Sequence, residues 1–319
     1  MNQPRLFTAY DVLSSPARVD PPFREPVRVG LVQERWHADP GEHRNAIARG
    51  VRIAAGEGAR LVCLQELTLS AYFAITPEGP TGAGVEAEAL PGGATHAFVS
   101  ELAAETGAYV HASLYERAPG GNRGVLGFNT AIVVAPDGAL VARTRKLHLP
   151  VTAGYYEDRY FQPGDTGFPV ADLVDARFGF PTCWDQWFPE VARSYALLGA
   201  DVIVYPTAIG SEPDHPGFDT EPIWEQVIRA NGIANGTFMV VPNRIGTDGP
   251  VTFYGSSFIS DPYGRVIVQA PRDEAAVLVA DLDLDQRRDW LALFPLLSTR
   301  RPDTYGVISE PNRETEMGL

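Results

Sequence analysis

Short apolar runs of strand length alternate with helical apolar patterns along nearly the whole chain, and no Pro/Ser-rich linker interrupts them. That order predicts an α/β fold, because each helix must bury its apolar side on a sheet built from the strands around it. Val27–Gln33 and Leu61–Leu64 read as buried strands. Between them a helix starts near Pro40, carries Ile47, Val51, Ile53 and Ala54 on one side, and stops at Gly56 and Gly58. A second helix, about Thr95–Thr106, ends at Gly107 and leads into strand Ala108–Leu114. Phe128–Val134 and Ala139–Thr144 are joined by the turn signal Pro136-Asp137-Gly138. The apolar run Leu173–Phe180, helix Glu190–Leu198, strand Val202–Tyr205 and helix Glu221–Ala234 continue the alternation. Thr237–Val241, Phe253–Ile259 and Ala276–Asp281 read as the last strands. One domain over residues 27–285 follows, with a proline-punctuated arm (1–26) before it and a tail (286–319) after it.

The chain is 319 residues long with a formal net charge of −14, a balance unsuited to nucleic acid or an anionic membrane surface. Met1–Arg5 hold no apolar signal core, and no apolar run approaches the roughly 18 residues of a membrane span. Cys63 and Cys183 alone make no disulfide framework, and no Cys/His cluster has zinc-ligand spacing. The expectation is a cytoplasmic protein with reduced thiols, no metal and no cofactor.

Cys183 stands just after an apolar run and just before a helical pattern. A thiol there has backbone N–H groups beside it, which suits a nucleophile, although a buried cysteine is often only a small hydrophobe. Glu66 and Lys146 stand in the same kind of place, each directly after a strand-like run. Strand ends gather along a rim of an α/β sheet, so residues far apart in sequence converge there. The trio is chemically coherent: Glu66 takes the thiol proton, and Lys146 stabilises the oxyanion that forms when sulfur attacks a carbonyl carbon. An ion pair at a sheet edge is the plainer account of Glu66 and Lys146 taken singly.

The segments Leu64-Gln65-Glu66, Arg145-Lys146-Leu147-His148-Leu149-Pro150 and Cys183-Trp184-Asp185-Gln186-Trp187-Phe188-Pro189-Glu190 resemble the nitrilase, or carbon–nitrogen hydrolase, superfamily. Tyr205-Pro206-Thr207-Ala208-Ile209-Gly210-Ser211-Glu212-Pro213 and Asn243-Arg244-Ile245-Gly246 agree in order. The resemblance implies a four-layer αββα sandwich with Glu66 as general base, Lys146 as oxyanion stabiliser and Cys183 as nucleophile. It also implies that the Trp184 backbone N–H completes the oxyanion hole and that Glu157 orients the substrate nitrogen or the hydrolytic water. Asp185, Tyr72, His148 and Thr207 become candidates for the substrate pocket, with Phe73 and Tyr155 as possible walls. Asp158 reads as solvated and Cys63 as structural. Dimers or larger homo-oligomers are the expected assembly, and Leu291–Leu297 is apolar enough either to cover a second subunit or to pack on its own domain.

Within the superfamily, the residues after Cys183 and the Tyr205–Pro213 stretch look most like N-carbamoylputrescine amidases. Phe253-Tyr254-Gly255-Ser256-Ser257 looks more like β-ureidopropionases. The implied reaction is cleavage of an N-carbamoyl (ureido) amine or amino acid to the free amine, ammonia and carbon dioxide through a Cys thioester. Asp185 and Gln186 stand where carbamoyl-D-amino-acid hydrolases carry basic residues. Asp185 or Glu212 would suit an amine tail and Arg229 or Arg244 a carboxylate. Asp214 and His215 lie in a Pro-rich loop and read as solvated. The alternatives are an ω-amidase or aliphatic amidase with the same triad, and a non-catalytic binding protein on this fold.

Overall fold

The computed structural model describes residues 3–118, 126–152 and 154–311. Strands β1 (Arg5–Ala9) and β2 (Val27–Gln33) are followed by helix α1 (Pro40–Gly56) and strand β3 (Leu61–Cys63). Asp39 caps α1 by accepting the Glu42 N–H at 2.7 Å, and Pro40 sits in the first turn, where no N–H is needed. The short helix α2 (Gly79–Gly82) precedes α3 (Ala94–Thr106), which ends on Gly107 at φ 71°. Next come β4 (Tyr109–Glu116), β5 (Phe128–Val134), β6 (Leu140–Arg145) and a small pair, β7 (Val151–Thr152) and β8 (Tyr155–Tyr156). The second half carries β9 (Val170–Leu173), β10 (Ala176–Gly179), α4 (Pro189–Leu197), β11 (Val202–Val204), α5 (Glu221–Asn235) and β12 (Phe238–Val241). It closes with β13 (Ile245–Asp248), β14 (Val251–Tyr254), β15 (Phe258–Ser260), β16 (Val266–Gln269), β17 (Ala276–Leu282) and α6 (Asp285–Leu293).

These strands build a seven-stranded sheet, β1-β17-β2-β3-β4-β5-β6, and a six-stranded sheet, β16-β15-β12-β11-β10-β9. Alternate residues of each strand point to opposite faces, so one set fills the space between the sheets. Val29, Leu31, Cys63 and Ala131 meet Phe178, Val204, Val240 and Ile259 there. On the outer side of the first sheet, Ile47, Val51, Phe98 and Val99 from α1 and α3 pack on Val62, Val110 and Ile132. Val191, Tyr195, Trp224 and Ile228 from α4 and α5 do the same for Ile203 and Met239 of the second. The outcome is the four-layer αββα sandwich. At Gly50 a Cβ would stand 2.6 Å from a Val32 methyl, so α1 settles this close to its sheet only with glycine there.

Two strands differ from the sequence expectation. The run Leu173–Phe180 is split by a tight turn at Val174 (φ 45°) and Asp175 (φ 67°), which folds β9 back antiparallel on β10. Neither residue is a glycine or asparagine, the usual marks of such a turn, so composition hides it. Phe253–Ile259 likewise breaks at Gly255 and Ser256, both at positive φ.

The first residues lie along the domain. β1 pairs parallel with β17, Arg18 bonds Asp283 at 2.6 Å and Asp289 at 2.8 Å, and Arg24 bonds Asp201 at 2.9 Å. In the tail, Trp290 Nε1 donates to Ile233 O at 2.8 Å, while Leu293 and Phe294 are exposed. Of arm and tail, residues 1–2 and 312–319 lie outside the described residues. Among the described residues no helix is long and apolar enough to cross a membrane.

The directions of the central strands position the site. β3 runs parallel to β4, β4 antiparallel to β5, and β5 antiparallel to β6. The ends of β3 and β6 and the start of β5 therefore share one rim.

Candidate active site

Glu66 follows β3, Lys146 follows β6 directly, and Cys183 opens the turn Cys183–Trp187 after β10. The sequence reading put all three on a rim of one sheet. The structure instead takes Glu66 and Lys146 from the first sheet and Cys183 from the second, so the site lies where the facing sheets meet. Lys146 Nζ donates to Glu66 Oε1 at 2.9 Å and to Glu157 Oε1 at 2.7 Å, and all three side chains are fully buried. Glu157 enters from the turn Glu157–Arg159, and Tyr72 OH donates to its Oε1.

A buried ammonium is tolerated only when paired, and here two carboxylates pair with it. Burial works against the charge on Lys146, but Glu157 and Glu66 outweigh it and hold its pKa above the ordinary lysine value. Burial also raises Glu157, to about 7, with Lys146 pulling down and the neighbouring Glu66 pushing up. The cluster thus gathers acid and base function around one cation.

Cys183 is buried, and its backbone sits at φ 42°, an uncommon conformation for a residue with a side chain. Its N–H donates to Pro206 O at 3.0 Å, which ties the turn to the segment after β11. Burial raises the thiol pKa well above its ordinary value, and the charges of Glu66 and Glu157 add to this while Lys146 opposes them. The resting thiol therefore keeps its proton. Trp184 N–H lies in the first turn after Cys183, where no earlier helical carbonyl accepts it.

Several candidates have structural employment. Asp185 is buried, and its carboxylate accepts Thr182 N–H at 3.1 Å, His148 N–H at 3.0 Å and a bond with His148 Nδ1 at 2.8 Å. An amine-tail contact for Asp185 is corrected accordingly: its oxygens are already occupied in holding the nucleophile turn to the chain after Lys146. His148 stacks on Phe188 at 3.7 Å between ring centroids, beside that joint. Thr207 Oγ1 donates to Tyr205 O at 2.9 Å, and Thr207 O accepts Glu66 N–H at 3.4 Å, so Thr207 supports the base from behind. Phe73 packs against Tyr115 and Phe161 in the core, whereas Tyr155 lies edge-on to Tyr72 at 6.4 Å.

Arg229 is paired, whereas Arg244 is only partly engaged: its Nε and Nη1 are buried without a hydrogen-bond partner among the described residues. Arg229 bonds Glu225 at 2.7 Å, and buried Arg244 donates through Nη2 to Glu66 O, Leu67 O and Ser70 O at 3.0, 3.1 and 3.0 Å. Leu67 sits at φ 47°, so Arg244 clamps the strained turn that carries Glu66. That role, and a bond from Asn129 Nδ2 to Glu66 Oε1 at 2.7 Å, escaped sequence reasoning. For Asn129 the available signal was a polar Asn-Thr pair inside the apolar run Phe128–Val134. Glu212 is half-buried and its pKa is raised by burial; it accepts Thr220 Oγ1 at 3.4 Å. Asp158, Asp214 and His215 are exposed.

Comparison with known proteins agrees with this architecture. Residues 28–292 match the carbon-nitrogen hydrolase family. The chain is 38% identical over 290 residues to an N-carbamoylputrescine amidase of Solanum lycopersicum, covering 88% of this chain and 94% of that protein. It is 32% identical over 286 residues to a citrullinase of Francisella tularensis subsp. tularensis, covering 88% and 98%. A carbon-nitrogen hydrolase of Helicobacter pylori G27 superposes with a TM-score of 0.81 at 31% identity, covering 89% and 99%. With its αββα layers and its Glu-Lys-Cys cluster, the chain belongs to the carbon–nitrogen hydrolase family of the nitrilase superfamily and is a hydrolase of carbon–nitrogen bonds.

Proposed function

We propose that the protein is a thiol-dependent amidohydrolase of N-carbamoyl amines, releasing the free amine, ammonia and carbon dioxide. The observation that carries this reading is the buried Lys146 side chain bonded to both Glu66 and Glu157, beside the buried Cys183 thiol. Glu66 takes the Sγ proton as sulfur bonds to the ureido carbonyl carbon. The oxyanion is stabilised by Lys146 and the Trp184 N–H, and its collapse expels one nitrogen, which leaves with the proton held by Glu66. Water, deprotonated by Glu66, then attacks the carbamoyl thioester; the Cys183 sulfur leaves and regains the proton held by Glu66, and the carbamic acid released breaks down to the second nitrogen product and carbon dioxide. Glu157, already accepting from Lys146 and Tyr72, uses its remaining oxygen to orient the substrate nitrogen or that water.

The tail preference follows from charge. Arg229 is paired with Glu225, Nη2 of Arg244 is taken by backbone carbonyls, and Asp185 is saturated by donors. Glu212 is a half-buried carboxylate with no cationic partner among the described residues, close enough to raise the pKa of Tyr155 beside the site. An ammonium tail suits it. The named relatives act, by their names, on N-carbamoylputrescine and on citrulline, compounds that share a ureido end. An ammonia-release panel of N-carbamoylputrescine, N-carbamoyl-β-alanine, a glutaramate-like amide and an aliphatic nitrile tests the reading. The expected result is the highest kcat/KM on N-carbamoylputrescine, with Glu212→Gln raising KM for it by about 10-fold through loss of a charge-assisted contact. Activity on the nitrile alone would sink the ureido assignment; preference for the glutaramate-like compound would establish the ω-amidase alternative.

Glu157 adds a pH signature. Its carboxylate accepts protein and substrate donors only when ionised, so activity rises as pH passes upward through about 7. That limb belongs to the coupled carboxylates rather than to one of them. Glu157→Gln, which cannot ionise, is expected to lose most of the rate and to displace this limb. A wild-type profile flat through neutrality would contradict the assignment.

A further inference from the structure

Each glutamate of the cluster has one pinned oxygen and one open oxygen. Glu66 Oε1 accepts Lys146 Nζ at 2.9 Å and Asn129 Nδ2 at 2.7 Å, and Glu157 Oε1 accepts Lys146 Nζ at 2.7 Å and Tyr72 OH. Glu66 Oε2 and Glu157 Oε2 are buried with no hydrogen-bond partner among the described residues. Lys146 serves both carboxylates equally, so it does not by itself decide how Glu66 is turned. Of the two carboxylates, Asn129 bonds Glu66 alone. We propose that Asn129 is a positioning residue that pins Oε1 of Glu66 and thereby makes Oε2 the atom that takes the Cys183 proton.

The orientation of the Asn129 amide is fixed by a buried chain of donors. Leu67 N–H donates to Ser113 Oγ at 3.1 Å, which leaves the Ser113 hydroxyl proton for Asn129 Oδ1, also at 3.1 Å. With its oxygen end so held, Asn129 presents its NH₂ end to Glu66. Ser113 is anchored in turn, because its N–H donates to Thr68 Oγ1 at 3.0 Å and Thr68 Oγ1 donates to Gln65 O at 2.8 Å. The chain therefore closes on the segment that carries Glu66. The backbone of the same asparagine sets the partner cation, since Asn129 O accepts Lys146 N–H at 2.8 Å. Ser113, Thr68 and Asn129 are all buried, so water does not compete for these bonds. One residue at the start of β5 thus registers the base through its side chain and the lysine through its main chain.

The role of Oε2 rests on the thiol mechanism above, so the test needs a readout that does not depend on the substrate. Two measurements serve: ammonia release from N-carbamoylputrescine, and the pH dependence of Cys183 alkylation by iodoacetamide. Asn129→Ala is expected to lower kcat by about 10- to 100-fold, the worth of a hydrogen bond to a charged group, with KM nearly unchanged. Loss of a donor to the coupled carboxylates favours their protonated form, so the acid limb set by the cluster moves to higher pH in both profiles. Ser113→Ala is expected to lower kcat less, in the same direction, and to add little on top of Asn129→Ala, since both act through one bond. Asn129→Leu, of nearly the same shape and without a donor, gives the same two readouts should the alanine variant not fold. A folded Asn129 variant with wild-type kcat and an unmoved alkylation profile would overturn the proposal. So would a loss of kcat with both profiles unmoved, which marks a merely structural role. Failure of the ureido reading is a separate result: wild type then releases no ammonia, and the alkylation arm still decides the role of Asn129.

Discussion

Cys183→Ala is expected to release ammonia from an N-carbamoyl amine no faster than buffer, a loss on the order of 10⁴-fold or more. The size follows from what the side chain does. Without sulfur no covalent intermediate forms, and the surviving cluster can only polarise a carbonyl and position water. The thiol stands in the turn after β10, at a backbone conformation held by the Pro206 carbonyl, so truncation at Cβ leaves the turn and its neighbours in place. An unchanged melting temperature with abolished turnover separates loss of chemistry from loss of fold. Wild-type turnover in this variant would remove Cys183 from the reaction.

Lys146→Ala is expected to lower kcat/KM by at least ~100-fold, since an oxyanion donor is typically worth about 3 kcal/mol of barrier. It has a second consequence that a simple donor would lack. Lys146 is the cation between Glu66 and Glu157, and both carboxylates are fully buried. Removing it leaves like charges in a low-dielectric site, a defect worth roughly 3–5 kcal/mol unless a proton enters. Glu157 already titrates at about 7 with the lysine present, and without that pull its folded-state pKa rises further. A folded-state pKa above the unfolded value means the folded protein binds the extra proton. The variant should therefore be least destabilised at low pH and progressively more so as pH rises through neutrality. Melting temperatures of wild type and variant across that range check this, and a pH-independent difference would contradict it.

The parts of the fold that were legible in the sequence are those with local causes. α1 is announced by Pro40, α3 by the stop at Gly107, and β2 by the apolar run Val29–Val32. The turn at Val174–Asp175 was not legible, because its residues carry no turn signature and positive φ there is sustained by pairing of the flanking strands. Strand order is a tertiary outcome, which is why Cys183 was expected on the rim that holds Glu66 and Lys146 and lies on the facing sheet instead. Glu66, Lys146, Glu157 and Cys183 are legible as reactive groups in the sequence, and in the structure Lys146 bonds both Glu66 and Glu157. The supporting residues were harder to read. Asp185 and Arg244 are charged residues near a site, a pattern that suggests substrate contact, yet Asp185 and the Nη2 of Arg244 hold backbone groups of the turns that carry Cys183 and Glu66. Asn129 gave the opposite difficulty: a neutral side chain in a strand, whose importance depends on a partner 63 positions away.

The central claim is that one thiol, Cys183, carries the reaction. Peptide mapping during timed alkylation with iodoacetamide tests it most directly, because the small reagent enters where a ureido group fits and Cys63 is sealed inside β3. The expected result is activity lost in step with labelling of the Cys183 peptide, one label per chain at complete inactivation, and slower labelling when N-carbamoylputrescine is present. Full activity after Cys183 is labelled, or an inert Cys183 in an active protein, would contradict it.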